Sequence, residues 1–192
     1  MQIQSSDALI IVDVQNDFCP GGALTVPEGD AVVPVLNEYI RRFSGAGARV
    51  VATRDWHPAD HISFHERGGI WPPHCIQETP GAAFHPDLQL PSTVIVVSKA
   101  QAPDAEAYSG FEGTGLVDEL RAGGVTRIFV GGLATDYCVK NTVLDGLKAG
   151  FETYYLADAS RGVEVQAGDS ARAEAEMLEA GAKLITLERL DG

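Results

Sequence analysis

Three side chains far apart in the chain carry the makings of a nucleophilic site: Asp13, Lys99 and Cys138. A thiol attacks carbonyl carbon as its thiolate, and a nearby ammonium favours that charge. A carboxylate can take the thiol proton and pass it to a departing amine. A second set, Asp55, His57 and His74, offers one carboxylate and two imidazoles. Those donors suit zinc, iron or manganese, with water filling the open positions. Asp55-x-His57 puts two ligands on one extended segment, and His74 can return from a loop. His61 can be a further ligand or an outer partner, whereas His65 and His85 read as surface residues. All five histidines fall between positions 57 and 85 of a 192-residue chain, which favours one divalent metal over ordinary solvent exposure. Phe18, Trp71 and Tyr108 can wall a pocket for a flat ring, although aromatics more often fill cores. Plainer readings stand beside these. Cys138 can be a small buried core residue, Asp13 a loop-capping acid and Lys99 a solvated lysine.

The elements around these residues decide whether they meet. Short apolar runs read as buried strands at Ala8–Val14, Arg49–Thr53, Thr93–Ser98, Arg127–Gly131, Glu152–Ala157 and Lys183–Leu187. They lack strict alternation, as strands covered on both faces do. Helical patterns lie at about Val32–Phe43, Gly115–Ala122, from near Cys138 to Ala149, and Asp169–Ala180. Alternating strands and helices imply right-handed βαβ units. The expected fold class is therefore α/β, a doubly wound parallel sheet with helices on both faces. Asp13, Asp55, Lys99 and Cys138 each end or follow a strand, so the sheet would gather them at one edge, where such folds place their sites. The predicted helix start at Cys138 would favour a thiolate through free N–H groups and the positive helix end. Trp56–Ser92 breaks the rhythm, rich in His, Pro and Gly. Segment 55–92 is expected to be a metal-binding and substrate loop within one domain, 1–192.

The bulk properties narrow the partners. A formal net charge of −13 argues against nucleic acid and anionic membranes, which require a positive surface. The 45% hydrophobic fraction suits a globular chain, and no stretch is apolar enough to span a bilayer. The N-terminus has neither a basic region nor a small-residue cleavage site. Three cysteines, an odd number, do not suggest a disulfide framework; Cys19 and Cys75 read as structural, and a reduced cytoplasmic setting is expected. The oligomeric state stays open, a homo-oligomer included.

Five segments in order resemble one known family: IIVDVQNDFCPGGAL at 10–24, TRDWHPADHISF at 53–64, WPPHC at 71–75, YSGF at 108–111 and GGLATDYCVKNT at 131–142. The chain is similar over nearly its whole length to the nicotinamidase/pyrazinamidase family of isochorismatase-like cysteine hydrolases. The resemblance implies six parallel strands, a triad of Asp13, Lys99 and Cys138, and metal ligation by Asp55, His57 and His74, with His61 at a position implicated in some relatives. It also implies an oxyanion hole from the N–H groups of Ala134 and Cys138, a cis peptide before Ala134, and a substrate ring lined by Phe18, Trp71 and Tyr108. The family usually has glycine after the triad lysine, where this chain carries Ala100. The implied small-molecule substrate is nicotinamide, hydrolysed to nicotinate and ammonia through a cysteine thioester, with pyrazinamide as a related amide. The metal would hold the ring nitrogen.

Rival readings remain at this level. Another hydrolase of the superfamily, acting on a carbamoyl compound or isochorismate, would share Cys138 but generally lack the His57 and His74 pattern. A non-catalytic metal-binding protein would leave Asp13 and Lys99 coincidental. A nucleotide-binding protein lacks its phosphate loop here.

Overall fold

Strand β1 (Asp7–Val12) is buried at every residue and lies at the centre of the molecule. Its alternate side chains feed two separate cores. Leu9 and Ile11 pack with helix α1 (Val32–Gly45), through Val32, Leu36, Tyr39 and Phe43. Ala8, Ile10 and Val12 join the opposite core, with helices α2 (Leu116–Ala122), α3 (Lys140–Lys148) and α4 (Asp169–Glu179). A strand exposes successive side chains to opposite faces, so a continuous apolar run requires a cover on both sides.

Five strands join β1 in one sheet: β2 (Arg49–Asp55), β3 (Ile95–Lys99), β4 (Arg127–Leu133), β5 (Glu152–Arg161) and β6 (Lys183–Ile185). All pairings are parallel, in the order β3-β2-β1-β4-β5-β6. The strand order turns back between β1 and β4. Right-handed crossovers running outward from that line in both directions put α1 on one face and the other helices on the second. The line is also where carboxyl strand ends leave a crevice. The computed structural model describes residues 1–190; positions 191 and 192, the end of the expected domain, lie outside the described residues.

The expected elements are all present, with shifted ends. β2 and β3 run further than their apolar runs, to Asp55 and Lys99. β3 is an edge strand and only partly covered, with Val96 44% exposed. The largest difference falls at Cys138. A single π turn, Thr135–Val139, holds the cysteine, and α3 begins only at Lys140.

Residues 56–94 carry only two short 3₁₀ turns, yet their backbone groups are bonded. His57 N–H donates to Cys75 O at 3.0 Å and Gln77 N–H returns to His57 O at 2.8 Å. Trp71 N–H donates to Ser63 O at 3.0 Å, and Asn16 N–H to Ala83 O at 2.9 Å. These pairings fold the loop back over β2 and bring position 74 beside position 57. The order comes from cross-loop bonds, which no sequence periodicity records. Among the described residues no helix is long and apolar enough to cross a membrane.

Candidate active site

The polar residues at the strand ends meet at the crevice between β1 and β4. Asp13 follows β1 in a left-handed turn (φ 49°) that drives its side chain into the interior. Thr53 on β2 donates its hydroxyl to Asp13 Oδ1 at 2.7 Å. Lys99 ends β3, two strands away, and pairs in register with Asp55 at the end of β2. Strands lie about 4.8 Å apart, so only a long side chain crosses β2 to reach β1. The Lys99 ammonium does so. It hydrogen-bonds Asp55 Oδ1 and lies 2.9 Å from Asp13 Oδ2 and 3.4 Å from Cys138 Sγ. Asp13, Asp55 and Cys138 place one ligand atom each within 4.8 Å of one another.

Burial and charge compete at this cluster. Burial alone would lower the Lys99 pKa, but the Asp13 and Asp55 carboxylates outweigh it and hold the ammonium charged. Burial would raise Asp55, yet the Lys99 ammonium and His57 pull it well below the carboxylate range. Asp13 goes the other way. Burial lifts its pKa, Lys99 opposes the rise, and the Asp55 charge adds to it. The Cys138 thiol is also pushed well above its ordinary value by burial, against Lys99 and reinforced by both carboxylates. The thiolate expected from a helix start is therefore corrected. In the protein as folded, two carboxylates already answer one ammonium, and a third buried anion is disfavoured.

Asp55, His57 and His74 form a second buried cluster, with one donor atom each within 4.8 Å of the others. Asp55 Oδ2 lies 3.6 Å from His57 Nε2. His57 Nδ1 faces Ala100 O at 3.3 Å, and His74 Nδ1 faces Pro72 O at 2.8 Å. A carbonyl only accepts, so both rings carry a proton on Nδ1, and in its neutral form each offers an Nε2 lone pair to a cation. That outer arrangement is how metal-bound histidines are oriented. Burial lowers the His74 pKa, although Asp55 and the Pro72 carbonyl oppose it, favouring the neutral ring a metal takes. The donor set fits a divalent ion. His61 packs 4.2 Å from the His57 ring centroid, but its nitrogens are engaged otherwise. Its Nδ1 accepts Ser63 N–H at 3.3 Å, and Nε2 faces Ala105 O at 3.0 Å. His65 is exposed and His85 half-buried.

The loop holding Cys138 is shaped by β4. Gly132 (φ 127°) presses against β1, where a Cβ would stand 2.2 Å from Val12 O. The Leu133–Ala134 peptide is cis. Ala134 O then accepts N–H bonds from Tyr137 at 3.1 Å and Val139 at 3.0 Å. Buried Asp136 pins the loop to the β5–α4 connection, accepting Val163 and Glu164 N–H at 2.9 and 2.8 Å. Trp71 donates its indole N–H to Tyr108 OH at 3.1 Å. Tyr137 closes this wall, with ring centroids 5.0 Å from Trp71 and 5.6 Å from Tyr108. Phe18 stands apart from them, 5.5 Å from the His74 ring.

Residues 7–189 match the isochorismatase domain model. The chain belongs to the isochorismatase family. It is 44% identical to the nicotinamidase of Escherichia coli (strain K12), over 94% of each chain. The pyrazinamidase of Pyrococcus horikoshii, solved in complex with zinc, superposes with a TM-score of 0.91 at 55% identity, covering 95% of this chain and 99% of that one. PnC1 from L. infantum, solved in complex with nicotinate, superposes with a TM-score of 0.93 at 36% identity, covering 100% of this chain and 98% of that one. Among isochorismatase-family proteins, the chain groups with the nicotinamidases.

Against that family, Ala100 is the departure seen in sequence, and the structure supplies its physical meaning. Ala100 adopts φ 51°, a left-handed conformation in which glycine is unstrained. The alanine keeps the path and presents its carbonyl to His57. A left-handed non-glycine residue costs roughly 1–2 kcal/mol. Ala100→Gly should therefore raise the thermal midpoint, by up to about 1 kcal/mol of stability after the extra unfolded-chain freedom of glycine is counted. A lower midpoint would show that the alanine is not strained. Several site residues carry no sequence signal of their own kind: Gln15, Thr53, Asp136 and Tyr137. Three are buried polar groups whose partners lie far away in the chain.

Proposed function

We propose that the chain hydrolyses nicotinamide to nicotinate and ammonia, with pyrazinamide as a second substrate, through a thioester on Cys138. The observation that carries this reading is the convergence of Lys99 on Asp13, Asp55 and Cys138, beside the Asp55, His57 and His74 cluster. The neutral thiol and the buried carboxylate divide the work. Asp13, with its raised pKa, takes the Cys138 proton as sulfur attacks the carboxamide carbon. The two charges move together, so no free thiolate has to persist in the pocket. Lys99 stays charged throughout and holds the Asp13 carboxylate in place.

The N–H groups of Ala134 and Cys138 receive the oxyanion. Asp13 returns its proton to the leaving nitrogen, which departs as ammonia. A water that gives its proton to Asp13 then attacks the thioester and releases nicotinate, and the proton returns to sulfur. Asp55, His57 and His74 would hold a divalent ion, which supplies a positive anchor for a lone pair of the substrate. Trp71, Tyr108 and Phe18 would flank the ring, with Tyr137 as an added wall. His61, with both nitrogens bonded, would buttress His57 from outside. The 55–92 loop thus supplies metal and ring contacts on a domain spanning 1–192. The metal cluster also favours this reading over a carbamoyl or isochorismate hydrolase.

Ammonia release from a panel of nicotinamide, pyrazinamide and benzamide tests the proposal. Turnover is expected for the two amides with a ring nitrogen and little for benzamide. Prolonged chelation should abolish turnover, and added zinc, iron or manganese should restore it. Elemental analysis should find about one ion per chain, lost in His57→Ala. Full activity in metal-free protein would refute the metal's role, and equal turnover of benzamide would refute the ring-nitrogen anchor.

A further inference from the structure

Asp55 serves both clusters, and its main chain is held in an unusual way. The ladder between β1 and β2 ends at the pair Val12 and Thr53. Asp13 N–H still reaches Thr53 O at 3.2 Å, while Trp56 N–H turns to Lys99 O on β3. Backbone groups alternate in direction along a strand, so the N–H and C=O of Asp55 point towards β1. No β1 backbone is there to meet them, because the chain has turned away at Asp13 (φ 49°).

The Gln15 side chain takes that place. It is wholly buried. Its Oε1 accepts Asp55 N–H at 2.8 Å, and its Nε2 donates to Asp55 O at 2.8 Å. The remaining Nε2 proton goes to Ala82 O at 2.9 Å, in the segment that pairs with Gln15 through Phe84. Two carbonyls and one N–H face this group, so only a carboxamide satisfies all three. A carboxylate would set oxygen against two carbonyl oxygens, and a thioether would leave all three without a partner. Two of these bonds fix the backbone of Asp55, whose Oδ1 meets Lys99 and whose Oδ2 faces His57, and the third anchors the Gln15 side chain to Ala82.

We propose that Gln15 is a positioning residue for the metal cluster: its carboxamide replaces a missing stretch of strand and sets the aim of the Asp55 carboxylate. This rests on the reading of Asp55, His57 and His74 as metal ligands. Outer groups that orient a ligand typically change metal affinity 10–100-fold when lost.

The test measures zinc dissociation constants by competition with a chromophoric chelator. It compares the wild-type chain, Gln15→Met, the isosteric Gln15→Glu, and Met177→Ala as a buried control on α4. Each is assayed below its melting transition. Both Gln15 variants are expected to bind zinc roughly 10–100-fold more weakly, while Met177→Ala loses thermal stability and keeps wild-type affinity. Wild-type affinity in either folded Gln15 variant overturns the proposal. So does a parallel loss in Met177→Ala, which would tie zinc affinity to overall stability. A wild-type chain that binds no zinc at all would instead strike the ligand assignment itself.

Discussion

Replacing Cys138 with alanine is expected to lower ammonia release from nicotinamide by about 10⁴-fold or more, the scale on which loss of a nucleophile usually falls. The geometry makes the sulfur hard to replace. Asp13 and Lys99 are both wholly buried and already paired, and Cys138 Sγ, 3.4 Å from the ammonium, is the polarisable atom facing them. Cys138→Ser keeps the size but should recover little, because an alcohol is far harder to deprotonate than a thiol. Nicotinate should still bind both variants, since the aromatic wall of Trp71, Tyr108 and Tyr137 is untouched. Acid-quenched wild-type reactions should carry a nicotinoyl adduct at Cys138 by mass spectrometry. Substantial turnover in Cys138→Ala, or no adduct under any quench, would point to direct attack by water.

Lys99→Met should damage both folding and chemistry. The side chains of Lys99 and Asp13 are fully buried, and Asp55 is nearly so. Removing the ammonium leaves two carboxylates facing one another without a counter-charge. Losing one partner of a buried pair typically costs about 3–5 kcal/mol. Urea unfolding of metal-free protein should show a loss of that size. Asp13 would hold its proton more tightly, because Lys99 is what opposes the rise caused by burial. A protonated Asp13 is no base, so kcat should fall by roughly 10²–10⁴. A variant that unfolds at the wild-type urea concentration would mean that the two carboxylates are not both charged when Lys99 is present.

The two losses differ in kind, and that separates the roles. On the proposed mechanism, Cys138→Ala removes the bond-forming atom from an otherwise intact site. Lys99→Met alters the field in which Asp13 works and also takes a counter-charge from Asp55. Asp55 links this triad to the histidines, so damage at Lys99 should also spread to metal affinity, whereas damage at Cys138 should not.

Much of this was written locally. The alternation of apolar runs with helical stripes specified a parallel sheet, and the runs at 8–14 and 127–131 became its two central strands. Parallel strands bring their carboxyl ends to one edge, so Asp13, Asp55, Lys99 and Cys138 had to gather there once the alternation was known. The histidine cluster between 57 and 85 marked the loop that carries the candidate metal ligands His57 and His74. What periodicity cannot hold is the outcome of contacts between distant segments. Whether Cys138 rests as thiol or thiolate depends on the sum of two carboxylates, one ammonium and burial, contributed by four separate strand ends. His61 differs from His57 and His74 in what its nitrogens meet: both are bonded, to Ser63 and Ala105, whereas His57 and His74 each bond a backbone carbonyl through Nδ1 and turn Nε2 to the Asp55 cluster. The role of Gln15 arises only because β1 bends at Asp13 and leaves the Asp55 backbone without a strand neighbour. Local pattern chose the elements and the edge where they end; burial and charge, which add up only in three dimensions, chose what each residue does there.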